Sequence, residues 1–182
     1  TDSIRNGAAM RVTPLGILKD EKAVISAGLI NASVTHDTPS GRASSVCMAL
    51  ASHYFLYGLG QTKDLFKYCI ALTGGVDSES TRYWETVSGM KVLDPVLLFG
   101  ETDKDIGVPC NGMRTAGAVM YLISTFPDTV AVLKESVFLG GDTDSVAALA
   151  TGIKAIECGL DSLPKFLIKE LVENVLPQPM RE

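Results

Sequence analysis

The stretch Leu139-Gly140-Gly141-Asp142-Thr143-Asp144-Ser145, running on through residues 146–158, carries more information than any other part of this chain. Apolar residues at Val146, Leu149, Ile153 and Ile156 recur at helical spacing, the mark of a helix that buries one face. Two glycines lead into it, and Asp142, Asp144 and Ser145 fall at its cap and first turn, where their oxygens can converge off the helix end. Hard cations such as magnesium take such oxygen ligands and keep several waters in a near-octahedral shell. The glycines leave the approach free of side chains, so a ligand can come close to the backbone. Spacing alone leaves a plainer reading open. The same residues make an N-cap and an acidic first turn, each stabilising the helix dipole by about 0.3–1 kcal/mol.

The helical pattern extends outward over the whole chain. Leu163, Phe166, Leu167, Leu171 and Val175 form a second stripe, and strand-like alternation is nearly absent. Helices are predicted at about residues 7–18, 21–34, 41–57, 62–72, 79–88, 112–126, 128–137, 143–158 and 162–175. The fold class is therefore all-α. Ser40, Thr62, Ser78, Asp128 and Ser162 are candidate caps, and Gly58, Gly89 and Gly159 follow helix ends. Residues 90–111 interrupt the pattern with Pro95, Gly100, Gly107, Pro109 and an acidic cluster, and this is the expected mobile loop. Small residues at 115–118 and 147–152 predict two helices packed closely at the centre.

With 182 residues and 46% apolar content, residues 1–182 are expected to form a single domain with one core. Sixteen Lys+Arg against 21 Asp+Glu give a formal charge of -5, and the basic residues are dispersed. Nucleic acid is thereby disfavoured as a partner, because phosphate backbones are bound by clustered cations. Cys47, Cys69, Cys110 and Cys158 form no C-x-x-C pair and are read as buried thiols of a reduced compartment. No apolar run approaches the roughly 20 residues of a membrane span. The opening Thr1-Asp2-Ser3 lacks a secretory pattern, so a cytoplasmic protein without membrane partners is expected.

Two further segments hold polar groups worth weighing. Asn6-Gly7-Ala8-Ala9-Met10-Arg11 places a cap residue and small side chains at a helix start, which either receives an anion or simply packs tightly. Thr35-His36-Asp37-Thr38-Pro39-Ser40-Gly41-Arg42 is dense in donors and acceptors and can contact a sugar or phosphate, although a lone histidine such as His36 is often structural. His53 is assigned to packing. Trp84, Tyr83 and Phe99 can stack on an adenine ring or fill the core. No G-x-S-x-G, H-E-x-x-H or P-loop is present.

Three segments in this order, Asn6-Gly7-Ala8-Ala9-Met10-Arg11 with Pro14-Leu15-Gly16, then Thr35-His36, then Gly140-Gly141-Asp142-Thr143-Asp144-Ser145, resemble the ADP-ribosylglycohydrolase family. That family includes dinitrogenase reductase-activating glycohydrolases, ADP-ribosyl-arginine and ADP-ribosyl-serine hydrolases, and J1 crystallins. The resemblance implies an all-α orthogonal multi-helix bundle and magnesium-dependent hydrolysis of an ADP-ribosyl glycosidic bond, with two Mg2+ ions, or Mn2+, in the intact site. It makes Asp142, Asp144 and Ser145 the metal ligands, Ser145 standing where the family more often has Thr. It makes Asn6, Gly7, Ala8, His36, Gly140, Gly141 and Thr143 substrate-binding residues. The implied partner is an ADP-ribosylated protein or an ADP-ribose derivative. Family members also carry an N-terminal half with an acidic residue in an early helix and a T-D-D motif, and neither occurs in these residues. The chain is accordingly expected to be the C-terminal part of a longer family member, completed by an N-terminal fragment, and no proton-transfer residue is named in it. The competing expectation is an inactive structural protein of crystallin type, or an ADP-ribose binder, on the same fold.

Overall fold

The computed structural model describes residues 2–170 and Asn174. Helices α1 (Gly7–Met10), α2 (Glu21–Ser33), α3 (Pro39–Leu56), α4 (Leu65–Thr73), α5 (Ser78–Ser88) and α6 (Pro95–Phe99) are followed by α7 (Gly112–Thr125), α8 (Thr129–Phe138), α9 (Thr143–Cys158) and α10 (Lys165–Glu170). Among the described residues there is no strand, only two isolated bridges, Asp2 with His36 and Val108 with Gly141. The all-α expectation holds. No helix among these residues is long and apolar enough to cross a membrane.

The expected helix over 7–18 is in fact two pieces. α1 stops at Met10 and a 3-10 turn follows at Thr13–Ile17. Pro14 cannot donate to the turn before it and its ring clashes with the carbonyl four residues back, so one continuous helix is barred. Gly16 then packs against the backbone of His53, where a Cβ would lie 2.7 Å from the His53 nitrogen. His53 is 2% exposed with Nδ1 3.0 Å from the Gly16 carbonyl, the packing role expected of it.

Several helix starts fall one or two residues before the predicted caps. Thr38, not Ser40, caps α3 by accepting from Gly41 N, and Asp77, not Ser78, caps α5. Asp128 caps α8 as expected. The short helix α6 was not expected, yet Asp94 caps it and Pro95 opens it. Thr62 begins a 3-10 turn ahead of α4, and Ser162 closes another at Leu160–Ser162 before α10. Of the remainder of the predicted 162–175 helix, Leu171 and Val175 lie outside the described residues.

Helix α3 occupies the middle, burying 13 of its 18 residues against α1, α2, α4, α7 and α9. Over residues 43–52 it is small or apolar all round, which suits a helix surrounded by others. Its buried hydroxyls are satisfied: Ser44 donates to the Gly41 carbonyl and Ser45 to that of Gly28. The 115–118 stretch of α7 is buried as predicted, but on α9 Ala148 and Gly152 face outward, so only part of the 147–152 stretch packs centrally. Trp84 is fully buried with Nε1 donating to the Met113 carbonyl at 2.9 Å, and Phe99 is also core. Cys47 and Cys69 are buried, but Cys110 and Cys158 are exposed, which corrects the expectation of four buried thiols. All four are free.

Candidate functional site

Residues 90–111, expected as a mobile loop, end by docking on the glycine-led turn. Val108 is fully buried, its N–H donates to the Gly140 carbonyl at 3.2 Å, and its carbonyl accepts from Asp142 N at 2.8 Å. Gly140 and Gly141 adopt φ of 74° and 72°, and a Cβ on either would lie 2.6 Å from the Ile106 carbonyl or 2.2 Å from that of Val108. Close backbone approach within the protein by itself requires glycine at both positions.

From this turn Asp142 emerges at the cap position of α9, but its side chain makes no capping bond. Instead Oδ1 accepts the Ser145 hydroxyl at 3.0 Å and Oδ2 accepts Asn6 Nδ2 at 2.5 Å. Asp144 is exposed and accepts Ser145 N at 2.8 Å. A hydrogen bond shared with the Asp142 carboxyl, then the Ser145 N–H, hold Asp144 below the usual carboxylate range. The three oxygen-bearing side chains singled out in sequence thus converge, with Thr143 partly exposed between them. Ser145 is 3% exposed and its hydroxyl also touches Met10 Sδ at 3.3 Å, which brings α1 against α9.

Asn6 is buried and does not cap α1. Gly7 lies under the His36 imidazole, whose Cε1 and Nε2 stand 2.7 and 2.9 Å from where its Cβ would be. Ala8 is fully buried and its carbonyl accepts Asn31 Nδ2 at 2.9 Å. Arg11 clasps the whole edge: Nε donates to Asn31 Oδ1, Nη1 to the Gly7 carbonyl, and Nη2 to the Asn31 carbonyl and Thr35 Oγ1. Thr35 in turn contacts His36 Nδ1 at 2.7 Å. Burial first, and then the charge of Arg11, hold the His36 pKa below its ordinary value. Other polar groups of the 35–42 segment engage one another, Asp37 with Arg42 at 2.6 Å and Thr38 with Ser3 and Gly41.

The chain of contacts therefore runs from His36 over Gly7 to Asn6, Asp142 and Ser145. Thr115, Cys110, Val108 and Asn31 belong to it without any sign in the sequence, and Arg11 is marked there only as the last residue of the 6–11 motif. Asn6 and Asp142 are separated by 136 positions, so no local pattern announces their pairing. A cleft of about 570 Å³ between α4, α5 and α7 is lined by none of these residues. The donor set is all oxygen, two carboxylates and a hydroxyl, which suits a hard divalent cation. Among the described residues no group of three His, Cys, Asp or Glu side chains stands ready to enclose a metal. Asp142, Asp144 and Ser145 are the residues here that could offer oxygens to such an ion.

The chain belongs to the ADP-ribosylglycohydrolase family, whose model matches residues 1–181. Among individual proteins it is similar to the uncharacterized protein YegU of Escherichia coli (strain K12). The two are 27% identical over 202 positions, covering 93% of this chain and 55% of YegU, so the chain spans about half of that relative's length.

Proposed function

We propose that this chain forms part of a magnesium-dependent ADP-ribosyl glycohydrolase, which removes ADP-ribose from a modified protein side chain or a related ADP-ribosyl compound. The observation that supports this reading is that, in a member of this family, the Ser145 hydroxyl meets Asp142 Oδ1 and the Ser145 N–H meets Asp144 Oδ1 at the start of α9. Asp142, Asp144 and Ser145 would hold the cation, Mg2+ or Mn2+, with its remaining ligands coming from water, substrate or another segment. When bound, such ions act as Lewis acids that polarise and position oxygen ligands. Gly7, His36, Gly140, Gly141 and Thr143 would border the ligand side, with His36 seated over the α1 turn, while Ala8 is fully buried and would act only through its neighbours. Glycoside hydrolysis requires a carboxyl group to manage the proton, and no residue of this chain is assigned to that task.

The test is release of free ADP-ribose from ADP-ribosyl-arginine and ADP-ribosyl-serine peptides with Mg2+, with Mn2+ and with a chelator. Metal-dependent release that disappears in Asp142→Asn supports the hydrolase. Binding of ADP-ribose without release, together with a melting temperature indifferent to metal, would establish the inactive binder in its place.

A further inference from the structure

Asn6 stands first in the motif that resembles a ligand-binding turn, yet its side chain is turned away from solvent and is 2% exposed. Both N–H donors of its amide and one lone pair of its oxygen are used. Nδ2 donates to Asp142 Oδ2 at 2.5 Å and to Thr115 Oγ1 at 3.0 Å, while Oδ1 accepts the Cys110 thiol at 3.2 Å. A capping role would aim Oδ1 at the first N–H groups of α1, and that bond is not made. Exchanging the amide O and N would set an acceptor against the Asp142 carboxylate, so the network itself dictates the orientation.

We infer that Asn6 is a positioning residue for Asp142, fixing its carboxylate for a divalent cation, and that Thr115 and Cys110 hold Asn6 in that pose. This rests on Asp142 being a cation ligand, as in the reading above. With Asn6 on Oδ2 and Ser145 on Oδ1, the carboxylate plane is set at both ends, and each oxygen keeps lone-pair capacity for an ion. A hydrogen bond to an ionised acceptor is short and strong, which suits it to hold a ligand still. The pose is assembled from four separate parts of the chain: the turn before α1, the end of the 90–111 segment, α7 and the start of α9. Packing of α7 against α1 is thereby converted into the direction in which Asp142 points.

Mn2+ binding to the 182-residue chain, followed by the loss of the free-ion paramagnetic resonance signal, tests the inference in wild type, Asn6→Ala, Thr115→Val and Asp142→Asn. Removing an outer partner of a metal ligand typically weakens affinity about 10- to 100-fold, and that loss is expected for Asn6→Ala. Thr115→Val, which keeps the volume and removes the hydroxyl, is expected to weaken binding in the same direction by less, and it carries the test if Asn6→Ala does not fold. Wild-type affinity in both variants, with binding lost in Asp142→Asn, overturns the inference and leaves the cation site standing. No uptake by wild type overturns the cation reading, and the inference with it. As a readout independent of metal, the Asn6 side-chain amide resonances should move markedly in Asp142→Asn. Unmoved resonances would mean that the contact is not made in solution.

Discussion

The carbonyl of Val108 accepts the N–H of Asp142, and this 2.8 Å bond ties the acidic turn to the end of the 90–111 segment. The position of the Asp142 backbone is therefore set from outside α9, by a residue that is itself fully buried.

Alanine at Gly141 should disrupt that docking. Its φ of 72° already disfavours a Cβ by about 1–2 kcal/mol, and the Cβ would also meet the Val108 carbonyl. Gly141→Ala is expected to lower stability by more than Gly58→Ala, where φ is positive but the surroundings are open. Urea denaturation of the two variants makes the comparison. Equal losses would show that the segment gives way.

Asp144→Asn separates ligand from scaffold. Asp144 is exposed and its carboxylate meets only the start of α9, so apo stability should be nearly unchanged. Any rise in melting temperature with Mg2+ or Mn2+ should disappear in this variant, as thermal melts with and without metal would show. Persistence of a metal effect of wild-type size would remove Asp144 from the site.

Lys154 is 3% exposed, with Nζ 2.7 Å from Glu157 Oε2 and donating to the Ile123 carbonyl at 3.3 Å. Glu157 also accepts the Thr62 hydroxyl. Glu157→Ala should destabilise by about 3 kcal/mol, since it strands a buried ammonium. Lys154→Met should cost less, because the apolar stem keeps its packing. Chemical denaturation of both variants checks the order, and the reverse order would refute the account.

Burial pushes the Tyr83 hydroxyl up to about 12, while the nearby Arg114 pulls it down. Its folded value thus lies above the unfolded value of about 10, so its contribution to stability is intact below about pH 10 and is lost as pH rises towards 12. Tyr68, pushed up by burial and by its bond to Glu21, acts in the same direction. Stability measured at about pH 9 and about pH 11 should fall. The fall should be smaller in Tyr83→Phe, and a fall of unchanged size would discount Tyr83.

Arg11→Met removes the clasp on Gly7, Asn31 and Thr35 and the positive charge beside His36. The His36 pKa, followed by proton NMR, should rise towards its ordinary value, though not fully, because burial is the larger cause. A further fall would contradict the electrostatic assignment.

Much of the fold was legible in the residues because helical periodicity is a local signal. Val146, Leu149 and Ile153 do line the buried face of α9, and Asp128 does cap α8. The break after Met10 was also written locally, in Pro14, though it was masked by apolar residues on both sides. α6 escaped because a helix of five residues has too little periodicity to register.

The order of residues alone determined an all-helical chain and brought Asp142, Asp144 and Ser145 to one helix start, since neighbours within a single turn need no distant contact to meet. Only the tertiary structure decided that α3 lies in the middle, that the glycines serve the backbone of Val108, and that Asn6 grips Asp142. Those relations join parts of the chain far apart in sequence. They arise from burying several faces at once and satisfying the polar groups trapped between them, which no single stretch can specify.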